Sequence, residues 1–121
     1  MSSKKTLVIG VSTNPEQYSN MAVNRLLDAN HPVVGIGREH FDIRNAHVQT
    51  EMIQMDDIHT ITLYLNPLRQ QTYYNYILAL HPKRIIFNPG AENEPFRKQA
   101  ESLGIEAINA CTLVMLATGL Y

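Results

Sequence analysis

The chain has 121 residues, 45% hydrophobic and 17% charged, with ten Lys and Arg against eleven Asp and Glu for a net charge of −1. That length suits one domain, residues 1–121, able to bury roughly two-thirds of its unfolded surface. The charge balance argues against a sequence-independent grip on DNA or RNA. The single Cys111 cannot form an internal disulfide, and no run approaches the ~20 apolar residues of a membrane span.

The stretch Lys4 to Leu27 reads KKTLVIGVSTNPEQYSNMAVNRLL. Thr6, Leu7, Val8, Ile9 and Val11 predict a buried strand of a parallel sheet. Gly10 and Ser12 let the backbone turn tightly, and Asn14-Pro15 breaks the pattern. Ser19 or Asn20 can then cap a helix with Ala22, Val23, Leu26, Leu27 and Ala29 on one side. His31-Pro32 ends that helix. Val33 to Gly37 is a second strand, whose two glycines suggest close approach by something. From Arg38 to Asp57 the pattern weakens, with Val48 to Met52 expected as a short edge strand. TITLYL, Thr60 to Leu65, is the next strand, closed by Asn66 as helix cap and Pro67 in the first turn. Its helix places Tyr73, Ile77 and Leu80 at i, i+4 and i+7. His81-Pro82 stops it, and RIIF, Arg84 to Phe87, follows. The turn-rich run Asn88-Pro89-Gly90-Ala91-Glu92-Asn93 leads to a helix presenting Phe96, Ala100 and Leu103, with Gly104 past its end. Ile105 to Ile108 is a last strand, and Thr112 to Ala117 a short closing helix.

Strands alternating with helices imply right-handed crossovers. The expected fold is α/β, a doubly wound, Rossmann-like parallel sheet of five to six strands in the order 3-2-1-4-5, with helices on both faces. Ligands of such sheets sit beyond the carboxyl ends of the strands, where the strand order reverses. Here that point lies between the first strand and TITLYL. The loops facing it are Gly10 to Asn20, Gly37-Arg38, Asn66-Pro67 and Asn88-Pro89-Gly90. GVSTNPEQYSN is longer than a GxGxxG dinucleotide turn and has one glycine, so a tightly held NAD pyrophosphate is disfavoured. A Walker-type lysine is also missing.

GVS with NPEQYSN, the LNP after the fourth strand and above all NPGAEN resemble the small stand-alone CoA-binding-domain proteins. These are similar in turn to the N-terminal CoA-binding domain of the succinyl-CoA synthetase α subunit. The resemblance runs from about Lys4 to Cys111. It implies CoA or an acyl-CoA as cofactor, with the phosphate-bearing end at Gly10, Ser12, Thr13, Tyr18, Ser19 and Asn20. The adenine and ribose would lie against Gly37, Arg38, Asn66 and Pro67, and Asn88, Pro89 and Gly90 would complete the site. Backbone N–H groups and hydroxyls suit phosphate, and Arg38 can add a charge-assisted bond. The chain departs from the family pattern at three places. Gly35-Ile36-Gly37-Arg38 stands where Val-Asn-Pro followed by a lysine is common. Asn66-Pro67 replaces an Arg-Pro pair, removing one expected positive charge, and Asn88 replaces a glutamine.

His31, His40, His47, His59 and His81 lack metal-ligand spacing, and no metal site is expected. Ser12, Thr13, Tyr18 and Glu92 lie in the candidate loops without a base and orienting partner, and no catalytic residue is assigned. The phosphorylated histidine of the synthetase belongs to a second domain that this chain lacks. The expected function is non-catalytic binding of CoA or acyl-CoA. The alternatives are an NAD(P)- or other nucleotide-binding enzyme, and a member of the family that has lost its ligand. The expected partner is a small nucleotide ligand, with no nucleic acid and no membrane. A homo-oligomer or an unknown partner protein stays open. With no apolar segment before Thr6 to serve as a signal peptide, a cytoplasmic location is expected.

Overall fold

A computed structural model describes residues 3–121. Its strands and helices alternate as β1 (Thr6–Val11), α1 (Tyr18–Asp28), β2 (Val33–Gly37), β3 (Phe41–Ile43), β4 (Ala46–Gln49), β5 (Thr60–Leu63), α2 (Pro67–Gln70), α3 (Tyr74–Ala79), β6 (Arg84–Phe87), α4 (Glu94–Ser102), β7 (Glu106–Asn109) and α5 (Thr112–Thr118). A single 3-10 turn, Gln71–Tyr73, joins α2 to α3.

The α/β, Rossmann-like architecture is as expected, but the sheet differs in strand count and order. It has seven strands, β3-β4-β2-β1-β5-β6-β7, against the expected five to six in the order 3-2-1-4-5. The weakly patterned segment after Arg38 supplies the difference. Phe41–Ile43 pairs antiparallel with Ala46–Gln49, so the edge is a small hairpin and not the predicted strand over Val48 to Met52. Its turn carries Arg44 at φ 55°, and its exposed face is tied by His47 Nδ1 and Asp42 Oδ1 at 2.6 Å. All other pairings are parallel.

Alternation along each strand feeds two apolar layers. Leu7, Ile9, Ile61, Leu63, Ile85 and Phe87 pack with Ile77 of α3 and with Phe96 and Ala100 of α4. On the other face Val8, Val33, Val48 and Ile86 meet Val23 and Leu26 of α1, with Met115 and Leu116 of α5 against them. Ala29, expected on the packed side of α1, is exposed and lies just past the end of that helix. None of the described helices is long and apolar enough to cross a membrane.

The centre of the sheet is shaped by a bulge. Ile9 pairs with Ile36 but Val11 with Gly37, so Gly10 is an extra residue on β1. Gly10 has φ 97°, and a Cβ there would come within 3.0 Å of the Tyr64 carbonyl oxygen. A Cβ on Gly37 would lie 2.5 Å from the Val11 carbonyl oxygen. The close approach that the glycines of β2 suggest is therefore by the protein's own first strand at this position.

Candidate functional site

β1 lies between β2 and β5, and the chain leaves β2 and β5 in opposite directions across the sheet. The crossovers part above β1, opening a cleft of about 270 Å³ at the strands' carboxyl ends. It is lined by Gly10, Val11, Ser12 and Thr13 from β1 and its loop, and by Ile36, Gly37, Arg38 and Glu39 from the end of β2. Tyr64 and Leu65 follow β5, and Arg69 and Tyr73 come from α2 and the turn after it.

The first loop is held by its own polar groups. The Ser12 N–H donates to Ser19 Oγ at 3.0 Å, and Asn20 Nδ2 donates to the Ser12 carbonyl at 2.8 Å. Ser12 Oγ accepts from the Asn14 N–H, and Asn14 Oδ1 from the Glu16 N–H. This makes the expected cap incorrect: Gln17 occupies the N-cap of α1 without a side-chain bond, and Ser19 and Asn20 lie in the first turn, buried. Their side chains reach back to fix the loop, which leaves the first N–H groups of α1 without side-chain caps. Tyr18 beside them is 65% exposed.

Of the residues singled out from sequence, Gly10, Ser12, Thr13, Gly37 and Arg38 come together in the lining. Tyr18, Ser19 and Asn20 stand behind or beside it. Asn66 caps α2, its Oδ1 accepting from the Arg69 N–H at 2.9 Å, and Pro67 is the first helical residue; both are exposed and outside the lining. Asn88, Pro89 and Gly90 also fall outside it. Asn88 is buried, and its side chain is occupied by the protein: Nδ2 donates to Thr62 Oγ1 at 2.6 Å and to the Leu63 carbonyl at 2.9 Å, while Oδ1 accepts from the Thr112 N–H at 2.9 Å. Pro89 and Gly90 are exposed, and the Gly90 N–H donates to Glu92 Oε1. Asn93, at the end of the same motif, caps α4 and donates to Gln70 Oε1 and the Tyr74 hydroxyl. NPGAEN thus braces the sheet to four helices, α2, α3, α4 and α5.

Arg69 and Tyr73 were not anticipated. Arg69 restores a positive charge after β5, three residues beyond Asn66. A basic residue in the first turn of a helix that starts at the switch point was its available signal. Neither the Arg69 nor the Arg38 guanidinium has a hydrogen-bonding or ionic partner among the described residues, whereas Arg44, Arg84 and Arg97 are all engaged. Tyr64, expected inside a strand, follows β5. Burial pushes its hydroxyl up to about 12. That oxygen is sealed from solvent with no hydrogen-bond partner among the described residues, and the nearby Thr62 and Thr112 hydroxyls bond each other at 2.8 Å. Among the described residues no cluster of His, Cys, Asp or Glu could hold a metal ion.

A family model described as a CoA binding domain matches residues 4–117. The chain belongs to that CoA-binding-domain family. Membership points to a capacity for CoA at the level of the family. Among solved structures, an uncharacterized protein is 39% identical over 100% of both chains, with a TM-score of 0.95. A protein from Thermus thermophilus is 15% identical with a TM-score of 0.86, over 98% of this chain and 91% of that one. A hypothetical protein from Pyrococcus horikoshii is 20% identical with a TM-score of 0.85, over 98% and 84%. The last two are likenesses of fold. No curated protein matches the chain. In this CoA-binding-domain chain, the charged side chains of the cleft are Arg38, Glu39 and Arg69.

Proposed function

We propose that the protein binds CoA or an acyl-CoA, without catalysing a reaction, in the cleft above β1. The observation that carries this reading is the meeting of a CoA-binding family match over residues 4–117 with two unpaired arginines at the switch point of the sheet. The pyrophosphate lies over Gly10 to Thr13 and the start of α1, where backbone donors and the helix dipole favour an anion. Arg69 approaches it from the β5 side and supplies the charge that Asn66-Pro67 lacks. A cleft of about 270 Å³ is below the roughly 300–1,000 Å³ of sites that enclose a drug-sized ligand. It therefore takes the phosphate and sugar portion, and the pantetheine arm with any acyl group extends past Tyr73 toward solvent.

The proposed binding is non-catalytic because the side chains that meet in the lining do not form a nucleophile, a base and an orienting partner. The test is calorimetry with CoA, acetyl-CoA, NAD(H), NADP(H) and ATP, alongside a thermal-shift series. A ligand at about 100 times its Kd adds roughly 2.7 kcal/mol to the folded state, several degrees for a domain of this size. CoA is expected to bind, and Ser12→Tyr, which fills the cleft floor, to abolish binding while the ligand-free midpoint stays within a few degrees. A response to NAD(H) alone would replace this reading with that of a dinucleotide enzyme.

A further inference from the structure

Resting on the CoA reading, we infer that Gln70 is a positioning residue of the site. Together with Asn93 of the NPGAEN motif it sets the rotation of the turn after β5, and so aims Arg69 into the cleft with Tyr73 beside it. That turn has little else to hold it. α2 is a single turn, too short to be stable by itself, and from Asn66 to Thr72 the only buried residue is Gln70, with no exposed surface. A glutamine in that place must satisfy its amide out of reach of water.

The amide is met from three sides. Its Nε2 donates to the Leu65 carbonyl at 2.8 Å and to the Ala91 carbonyl at 2.7 Å, and its Oε1 accepts from Asn93 Nδ2 at 2.9 Å. Both carbonyls can only accept, which fixes the orientation of the amide. Leu65 precedes the turn, and Ala91 and Asn93 belong to the loop after β6, so one side chain ties together two of the loops at the carboxyl ends of the strands. Asn93 Nδ2 also donates to the Tyr74 hydroxyl at 2.7 Å, and the Tyr74 ring stacks on Phe96 with centres 4.2 Å apart. Gln70 and Tyr74 are four residues apart and are bound to the same asparagine. The residues just before them, Arg69 and Tyr73, are likewise four apart, and both line the cleft. Residues at that spacing lie on one side of a helical segment. One side is therefore pinned to NPGAEN, and the side next to it is presented to the ligand. NPGAEN, which lies outside the lining, thus acts on the ligand through Gln70.

The experiment is a double-mutant cycle read by calorimetry with CoA, using the wild-type protein, Gln70→Met, Arg69→Gln and the double variant, each with its urea midpoint. Methionine fills similar space without the amide's bonds. Gln70→Met is expected to lower CoA affinity about 5-fold in the wild-type background, and less than about 2-fold where Arg69 is already glutamine, because residues that act through one another are not additive. CoA affinity should also become less sensitive to salt in Gln70→Met, as in Arg69→Gln, since the cation no longer meets the phosphate. Tyr74→Phe removes only the hydroxyl that Asn93 reaches and keeps the stacked ring. It should show the same coupling at about 2-fold, and it decides the question if Gln70→Met does not fold. An equal loss in both backgrounds, or a folded Gln70→Met that binds CoA as the wild type does, would overturn the inference and leave the CoA reading standing. So would unchanged affinity in Arg69→Gln, since the side chain being aimed would then not matter. Failure of the wild type to bind CoA would instead overturn the CoA reading itself.

Discussion

The two ends of the sheet carry similar basic side chains and use them in opposite ways. At the amino ends, Arg84 is buried; its Nε donates to Thr60 Oγ1 at 3.1 Å and its Nη1 to the Tyr121 carbonyl at 3.0 Å. Its guanidinium lies 4.4 Å from the centre of the Tyr121 ring, and Lys4 Nζ donates to the same carbonyl at 2.7 Å. The Tyr121 hydroxyl in turn bonds Thr6 Oγ1 at 2.6 Å. At the carboxyl ends, Arg38 and Arg69 have no such partner among the described residues. Cations at one end hold the chain together, and those at the other are left for something outside it.

Substitutions that separate stability from binding sharpen this contrast. The largest effect is expected at the amino end. Arg84→Met removes the donors that Thr60 Oγ1 and the Tyr121 main-chain oxygen accept from, leaving them only His59 and Lys4, and removes the stacking on the Tyr121 ring, so urea unfolding should show a loss of about 2 kcal/mol with CoA affinity retained. Arg69→Gln should do the reverse. An exposed side chain without internal partners changes stability by no more than about 0.5 kcal/mol, while CoA affinity measured by calorimetry should fall about 10-fold, or 1.4 kcal/mol. If Arg69→Gln destabilises the fold and leaves affinity intact, the contrast between the ends fails.

The smallest effect concerns acid. His31 and His59 sit at the amino end, and both are held below the ordinary histidine value, first by burial and then by Lys4 and Arg84. A base depressed in the folded state contributes stability at pH above its unfolded value near 6.5. That contribution is lost as pH falls, because the unfolded chain takes up the proton more readily. Thermal midpoints should decline below about pH 6.5, and His59→Gln should flatten part of the decline by a few tenths of a kcal/mol at most, since both rings are largely solvated. An unchanged acid limb in that variant would show that neither burial nor the amino-end cations hold His59 down.

Strong periodicity made the centre of the fold legible. TLVIGV, VVGIG and RIIF are short β-branched runs between turn residues, and each is a strand near its expected bounds. The edge hairpin was not legible, because FDI and AHVQ are short and one side of that pair faces solvent, so polar residues interrupt the signal. At the site, the glycine-serine loop and Arg38 could be read directly as small or charged residues just past a strand. Arg69 could not, because the cap at Asn66 locates the start of a helix without showing which residue of its first turn overlooks β1. NPGAEN was visible as a motif, yet its asparagines bond Thr62, Leu63, Gln70 and Tyr74, partners brought near only by the tertiary fold.

The bulge at Gly10 also changes the phase of β1. Up to that point parity holds, with Leu7 and Ile9 in the layer under α3 and α4 and Val8 in the layer under α1 and α5. By strict alternation Val11 would join Leu7 and Ile9, but it packs with Val8. The extra residue has inverted odd and even, so every position from Val11 onward points to the side opposite the one a simple count assigns. Deleting Gly10 would therefore leave Val11 directly after Ile9, still on the side of Val8 and opposite Gly37, and would remove only the bulge from the cleft floor.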